Sequence, residues 1–259
     1  MKVILISILA SVVGTALGGL LAAILGSKSE KLTGLALSFA GGVMTSISFL
    51  ELLPEAVEHS SMSVTVAGLV AGVAGVLGLS YLLDRITLAG REQPKLHETY
   101  QELYHEGELL AQKKNYMRSG LLMLCAIAIH DIPEGLVIGA TGRHDIALAA
   151  TLALMIAVHN VPEGVAIAAP LIAGGMNRWK VFLITVVEGL PSVAGALIGY
   201  YVGGVSGTAV ALSLSVAAGA MLYVVFGEIL PQSIVMRKDR APTIVLLVGI
   251  VVGMLMTKI

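Results

Sequence analysis

Apolar residues in this chain come in long runs separated by short polar turns. Marking every charged position divides it into eight segments: roughly Val3–Leu25, Leu32–Leu53, Met62–Leu83, Ser119–Ala140, Ile146–Ala173, Val181–Tyr201, Gly207–Val235 and Ala241–Met256. A helix of about 20 apolar residues crosses a hydrocarbon layer ~30 Å thick. Nothing alternates with period two, as the strands of a membrane barrel would. Only a helix or a closed barrel satisfies its backbone inside lipid, so the segments are read as helices. The first segment follows Lys2 as a signal peptide would, but it stays apolar too long for a cleavable leader and is read as a retained helix.

Composition agrees with this pattern. Of 259 residues, 56% are hydrophobic and 13% charged, about half the charge that covers a soluble domain. Mean hydropathy is +0.90. A single cysteine, Cys125, excludes an intramolecular disulfide framework and any CxxC redox or metal motif. The chain is read as one all-α membrane domain over 1–259. Residues 1–84 hold helices one to three, 85–118 a polar loop, 119–174 a central pair, and 178–259 the last three helices.

The basic residues orient it. The connections after helices one, three, five and seven hold 13 of the 16 Lys and Arg; the other side holds only Lys2, Arg143 and Lys258. The positive-inside rule then puts the odd-numbered connections in the cytoplasm and both termini outside.

Two internal similarities organise the helices. AIAIHDIPEGLVIGA at 126–140 matches MIAVHNVPEGVAIAA at 155–169 at eight of fifteen positions, which relates helices four and five. LALSFAGGVMTSISFLELLP at 35–54 aligns without a gap to LSLSVAAGAMLYVVFGEILP at 212–231, with ten of twenty identical. Helices two and seven cross in opposite directions, so the natural parsing is a 3+2+3 inverted repeat, a recurrent transporter architecture.

Acidic residues interrupt the apolar segments. Glu51, Asp131, Glu134, Glu163, Glu188 and Glu228 lie within them, Glu55 lies just past the end of one, and no Lys or Arg accompanies them. A lone carboxylate at mid-bilayer costs ~3 kcal/mol or more. These acids are therefore expected to be protonated, or neutralised by something bound.

His130 and Glu134 are four residues apart, as are His159 and Glu163, so each pair shares one helix face. Pro133 and Pro162 lie in the same turns, and Gly135 and Gly164 follow, with small residues expected to let the two helices approach closely. Two imidazoles and two carboxylates converging in this way suit zinc, with iron or manganese as alternatives. Asp131 and Asn160 point about 100° away around their helices. They could supply oxygens to a second ion, bridged by Glu134 and Glu163 and completed by Glu188.

These motifs resemble the ZIP (Zrt-, Irt-like) family of divalent-metal transporters, in its ZupT-like bacterial branch. The resemblance covers nearly the whole chain, through GGVMTSISFLELLPEA, HDIPEG, HNVPEGVAIAAPL and VVEGLP. It implies eight helices with outward termini and a binuclear centre at mid-membrane. The first site it implies is His130, Glu134, His159 and Glu163 with the Met44 thioether. The second is Asp131, Glu134, Asn160, Glu163 and Glu188, where Asp131 departs from the asparagine common in that branch. Glu51 and Glu55 look like the family's path-lining acids.

The resemblance further implies import of Zn²⁺, with Fe²⁺, Mn²⁺ and Cd²⁺ as other candidate ions, across the inner membrane. Lipid and the ions are the expected partners, with a homodimer as a candidate assembly and no nucleic acid. No prosthetic group is expected. No Walker A pattern points to ATP. The competing function is an intramembrane metal-dependent hydrolase, but HExxH is absent and the repeat favours transport. In the polar loop, His97 and His105 fall on one stripe of a helical segment, which is weighed as a solvated charged helix before a metal sensor.

Overall fold

The computed structural model describes residues 2–25, 30–87, 113–202 and 206–256, and every regular element in them is helical. α1 is Lys2–Leu25. α2 runs from Glu30 to Ile47, passes through a π-helical turn at Ser48–Leu52 and ends with Leu53–His59. α3 is Met62–Thr87, α4 Lys113–Gly142 and α5 Ile146–Ala173. α6 comprises Arg178–Glu188 and Leu190–Val202. α7 comprises Gly207–Val224, a π-turn at Val225–Ile229 and Leu230–Arg237; α8 is Ala241–Met256.

Seven of these, α1 to α7, are long and apolar enough to cross a membrane, and α8 is a shorter apolar helix of 16 residues. Large hydrophobic side chains cover the outside, among them Leu5, Leu154, Leu183 and Val251, each more than half exposed. Water would not tolerate so continuous an apolar surface, and lipid does. This is an all-helical, multi-pass membrane protein. His97 and His105 lie outside the described residues.

Proline shapes α2, α6 and α7. Pro54 and Pro231 have no N–H to give the preceding turn. Just before each of them the ladder widens by one residue: Leu53 N–H reaches Ser48 O and Leu230 N–H reaches Val225 O. The two π-turns occupy matching positions of the repeated segment and carry Glu51 and Glu228. Pro191 likewise cannot donate to Val187; the Gly189 N–H does so instead, and α6 breaks directly after Glu188. Pro133, Pro162 and Pro170 are absorbed inside α4 and α5 without a break.

The helices form two groups. In one, α5 packs on α1, α4 packs on α6 and α5, and α1 packs on α6. In the other, α2 packs on α8 and α3 on α7. The groups meet where α2 lies on α5 and α7 on α4, around a core holding Met44, Met123, Ile127, Ile167, Met221 and Val225.

Glycines set the close approaches. A Cβ on Gly18 would strike Val161 and Gly164, and one on Gly195 would strike Ile132 and Leu136. Gly42 faces Gly249, and Gly219 faces Leu69, beside Gly72. Gly18 and Gly195, Gly42 and Gly219, and Gly72 and Gly249 are each separated by 177 positions, so one constant offset relates all three pairs of helices. One expectation is corrected here. Gly135 and Gly164 do not bring α4 and α5 together: Gly135 abuts Ser192 of α6, and Gly164 abuts Thr15 of α1. Each central helix uses its glycine against an outer partner, because the α4–α5 interface has to hold the bulkier His and Glu side chains.

Gly164→Val should therefore destabilise the fold by at least about 1–3 kcal/mol, the range for an overpacked core. Gly75→Ala, where nothing lies within 4 Å, should be neutral or stabilising by up to about 1 kcal/mol. Thermal unfolding in detergent checks both.

Candidate metal centre

α4 delivers His130, Asp131 and Glu134 from a single turn, and α5 delivers His159, Asn160 and Glu163. Helical spacing puts each His above its Glu, and the α4–α5 packing turns the two turns toward one another. Glu134 Oε1 lies between the imidazoles, 2.9 Å from His130 Nε2 and 3.0 Å from His159 Nε2. Glu163 Oε1 is 3.4 Å from His130 Nε2. With its amide nitrogen facing α5's acid, Asn160 donates to Glu163 Oε2 at 3.0 Å. All six of these residues are at most 3% exposed, which excludes bulk water as their solvent.

Asp131 lies closer to this group than its place on the helix suggests. One nitrogen of His130 and one oxygen each of Asp131 and Glu163 are all within 4.8 Å of one another. Glu188, the last residue before the break in α6, is buried on the same side, electrostatically next to Asp131 and Glu163. Among the described residues, neither oxygen of Asp131, neither of Glu188, nor Glu134 Oε2 has a hydrogen-bond donor. Orphaned buried oxygens cost free energy unless protons or a cation satisfy them. Here five of them belong to three acids of α4 and α6. This donor set, imidazole nitrogen and carboxylate oxygen with an amide beside it, suits a divalent transition-metal ion.

The remaining sequence-derived candidates are more scattered. Met44 is fully buried in the main apolar cluster with Ala166, Ile167 and Met221. Ser48 Oγ donates to the Met44 carbonyl at 2.9 Å and to Met221 Sδ at 3.1 Å. Glu51 is half-buried near His159 and Glu134, and Glu55 sits one turn further out, 3.8 Å from His59.

Glu228 overturns the expectation that no basic residue accompanies the acids. Arg118 Nη1 donates to Glu228 Oε1 at 3.1 Å, and Ser119 Oγ donates to Glu228 Oε2 at 2.6 Å. Sequence reasoning ended the apolar segment at Ser119 and left Arg118 in the loop. α4 in fact begins at Lys113 and carries Arg118 into the bundle. The helix-compatible residues Lys113–Arg118, free of Gly and Pro, were the signal for that extension.

Fold and site together define a helical membrane protein with a buried cluster of histidines and acids between two repeated turns. The profile of the family described as "ZIP Zinc transporter" matches residues 83–259. A protein named zinc transporter ZupT from Akkermansia muciniphila is 30% identical over 256 residues, covering 95% of this chain and 91% of its own. Similarly named proteins from Corynebacterium aurimucosum and Escherichia coli O7:K1 are 32% and 31% identical, each covering 87% of this chain and 85% of their own. The chain belongs to the ZIP zinc transporter family, as a ZupT-like member.

A cation held by this cluster should stabilise the folded protein. Zn²⁺ at about 100 times its dissociation constant should add about 2.7 kcal/mol, read as a raised melting temperature in detergent. His130→Ala should abolish most of that increment.

Proposed function

We propose that the protein is a secondary transporter that imports divalent transition-metal ions, Zn²⁺ foremost and Fe²⁺, Mn²⁺ or Cd²⁺ in addition, into the cytoplasm. The observation that carries this reading is the convergence of His130, Glu134, His159 and Glu163 from two repeated turns, buried in a chain whose relatives are named zinc transporters. In this reading α8 is the eighth span. The parsing is α1–α3, α4 with α5, then α6–α8, with both termini outside the inner membrane. The constant 177-position offset of the glycine contacts and the matched π-turns support the inverted repeat.

The first ion is held by His130, Glu134, His159 and Glu163, with Met44 as an added ligand. The second is held by Asp131, Glu134, Asn160, Glu163 and Glu188. An intramembrane hydrolase is the less favoured reading, because the relatives' names describe transport and HExxH is absent from the sequence.

Protons are part of the chemistry. The hydrogen bond between His159 Nε2 and Glu134 Oε1, 3.0 Å long, takes a proton on one of its two atoms, and His130 Nε2 lies 2.9 Å from the same oxygen. A metal ion needs these atoms as lone pairs, so binding expels that proton. The carboxylates on α4, α5 and α6 add to this, since several negative charges this close cannot all remain ionised without a cation.

Three outcomes test the reading. In proteoliposomes holding a zinc-sensitive dye, His159→Ala and Glu163→Ala should lose at least about nine-tenths of uptake, at the lower end of what losing even a ligand's supporting contact does. Near-normal flux in both variants would refute the assignment. Metal affinity should weaken as pH falls, because protons compete for the same atoms, and calorimetry in buffers of different ionisation enthalpy should register proton release. Asp131→Asn should keep the first ion, weaken the second, and cost Mn²⁺ and Fe²⁺ more than Zn²⁺, because an amide is a poorer ligand for harder ions. Elemental analysis beside competitive uptake measures both.

A further inference from the structure

An ion pair joins the two groups of helices at a distance from the metal centre. Besides its bond to Glu228 of α7, Arg118 of α4 donates through Nη2 to Ser80 Oγ of α3 at 2.6 Å. Ser119 holds the second Glu228 oxygen. Both carboxylate oxygens are thereby occupied, and the pair is mostly buried, at 21% side-chain exposure for Arg118 and 11% for Glu228. Removing one partner of a buried pair is costly, because the other charge is left uncompensated.

The tie sits at the end of a continuous helix face. Ser119, Met123, Ala126, Ile127 and His130 follow one another along α4 at helical spacing, leading from the tie to the metal centre. All five are buried, Met123 completely, and Met221, Val224 and Val225 of α7 join the same cluster. An ion leaving His130 toward this end therefore meets first an apolar plug and then an ion pair. Unbranched methionine side chains can rearrange at low cost. The tie cannot yield without separating charges.

The repeat shows that the tie is one-sided. Glu51 of α2 is the counterpart of Glu228, but the counterparts of Arg118 and Ser119 on α5 are Ala147 and Leu148. Among the described residues, the charged neighbours of Glu51 are His159, Glu134, Glu55 and His130. Two ends built from one template thus differ in a single charged bond.

We propose that Arg118 and Glu228, with Ser80 and Ser119, form the inner gate of the transporter. They are positioning residues: the tie holds α4 against α3 and α7 while an ion occupies the centre, and it parts to release that ion to the cytoplasm. This rests on the importer reading and on the orientation that puts the first residues of α4 at the cytoplasmic face.

The test uses full-length protein carrying Cys125→Ser and Ala126→Cys. The new thiol, between tie and centre at a position only 2% exposed, reports access in proteoliposomes to a small cationic methanethiosulfonate. Labelling should be slow with the tie intact. Arg118→Ala or Glu228→Gln should raise it by about tenfold or more, a conservative share of what breaking a buried pair costs. The double reversal Arg118→Glu with Glu228→Arg should slow it again, and Zn²⁺ stoichiometry at the centre should stay unchanged throughout. Should Arg118→Ala fail to fold, Ser119→Ala removes one hydrogen bond and should still raise labelling by about threefold, for a bond worth roughly 0.5–1.5 kcal/mol. Unchanged labelling in folded, Zn²⁺-binding variants, or a reversal that leaves labelling fast, overturns the gate. If the parent protein takes up no Zn²⁺ at all, it is the transport reading that falls.

Discussion

A carboxylate inside a bilayer has no water to stabilise its charge, and the architecture of this protein follows from how its acids meet that constraint. One solution is an internal cation, as at Glu228, where a guanidinium and a hydroxyl occupy both oxygens. The other is to gather the acids into one buried cluster that protons or a metal ion could neutralise, as Asp131, Glu134, Glu163 and Glu188 are gathered. The first is permanent in composition and therefore suits a structural or gating contact. The second is exchangeable and therefore suits a passenger. A helix bundle that kept all its acids by the first means would be stable and would carry nothing.

Such a cluster demands that α4 and α5 be held firmly without filling the space between them. The glycines do this from outside. Gly164 lets α1 close on α5, and Gly135 lets α6 close on α4, while the inner faces keep their imidazoles and carboxylates. The break in α6 then brings Glu188 to the edge of the same cluster, because the helix ends there. Small residues at the back and polar ones at the front make each central helix two-faced by volume as much as by polarity.

Much of this was legible in the sequence. The apolar runs located the helices, with the widest misses at the end of α2, which reaches His59 and not Leu53, and at the start of α4, at Lys113 and not Ser119. The paired His-x-x-Pro-Glu turns pointed to the convergence of His130, Glu134, His159 and Glu163, because a repeated four-residue spacing puts each His and Glu on one face of its helix. The role of Arg118 was not legible, for a physical reason: a charge at the end of an apolar run looks the same whether it faces water or folds back onto a buried acid. The partners of Gly135 and Gly164 were hidden for a similar reason, as a glycine announces a close approach without naming the neighbour. The π-turns left only the trace of a proline after a matched acid, at Pro54 and Pro231.

The constant offset between the halves bears on inheritance. A one-residue insertion inside any of the six repeated helices would turn everything beyond it by about 100° and separate glycines from the backbones they accept. Two distant stretches of gene must therefore keep the same count, although nothing in translation compares them. A change of length costs less in what the repeat does not cover, such as the segment at 88–112 and the turn between α4 and α5. Relatives of this chain should differ in size at those places and keep step everywhere else.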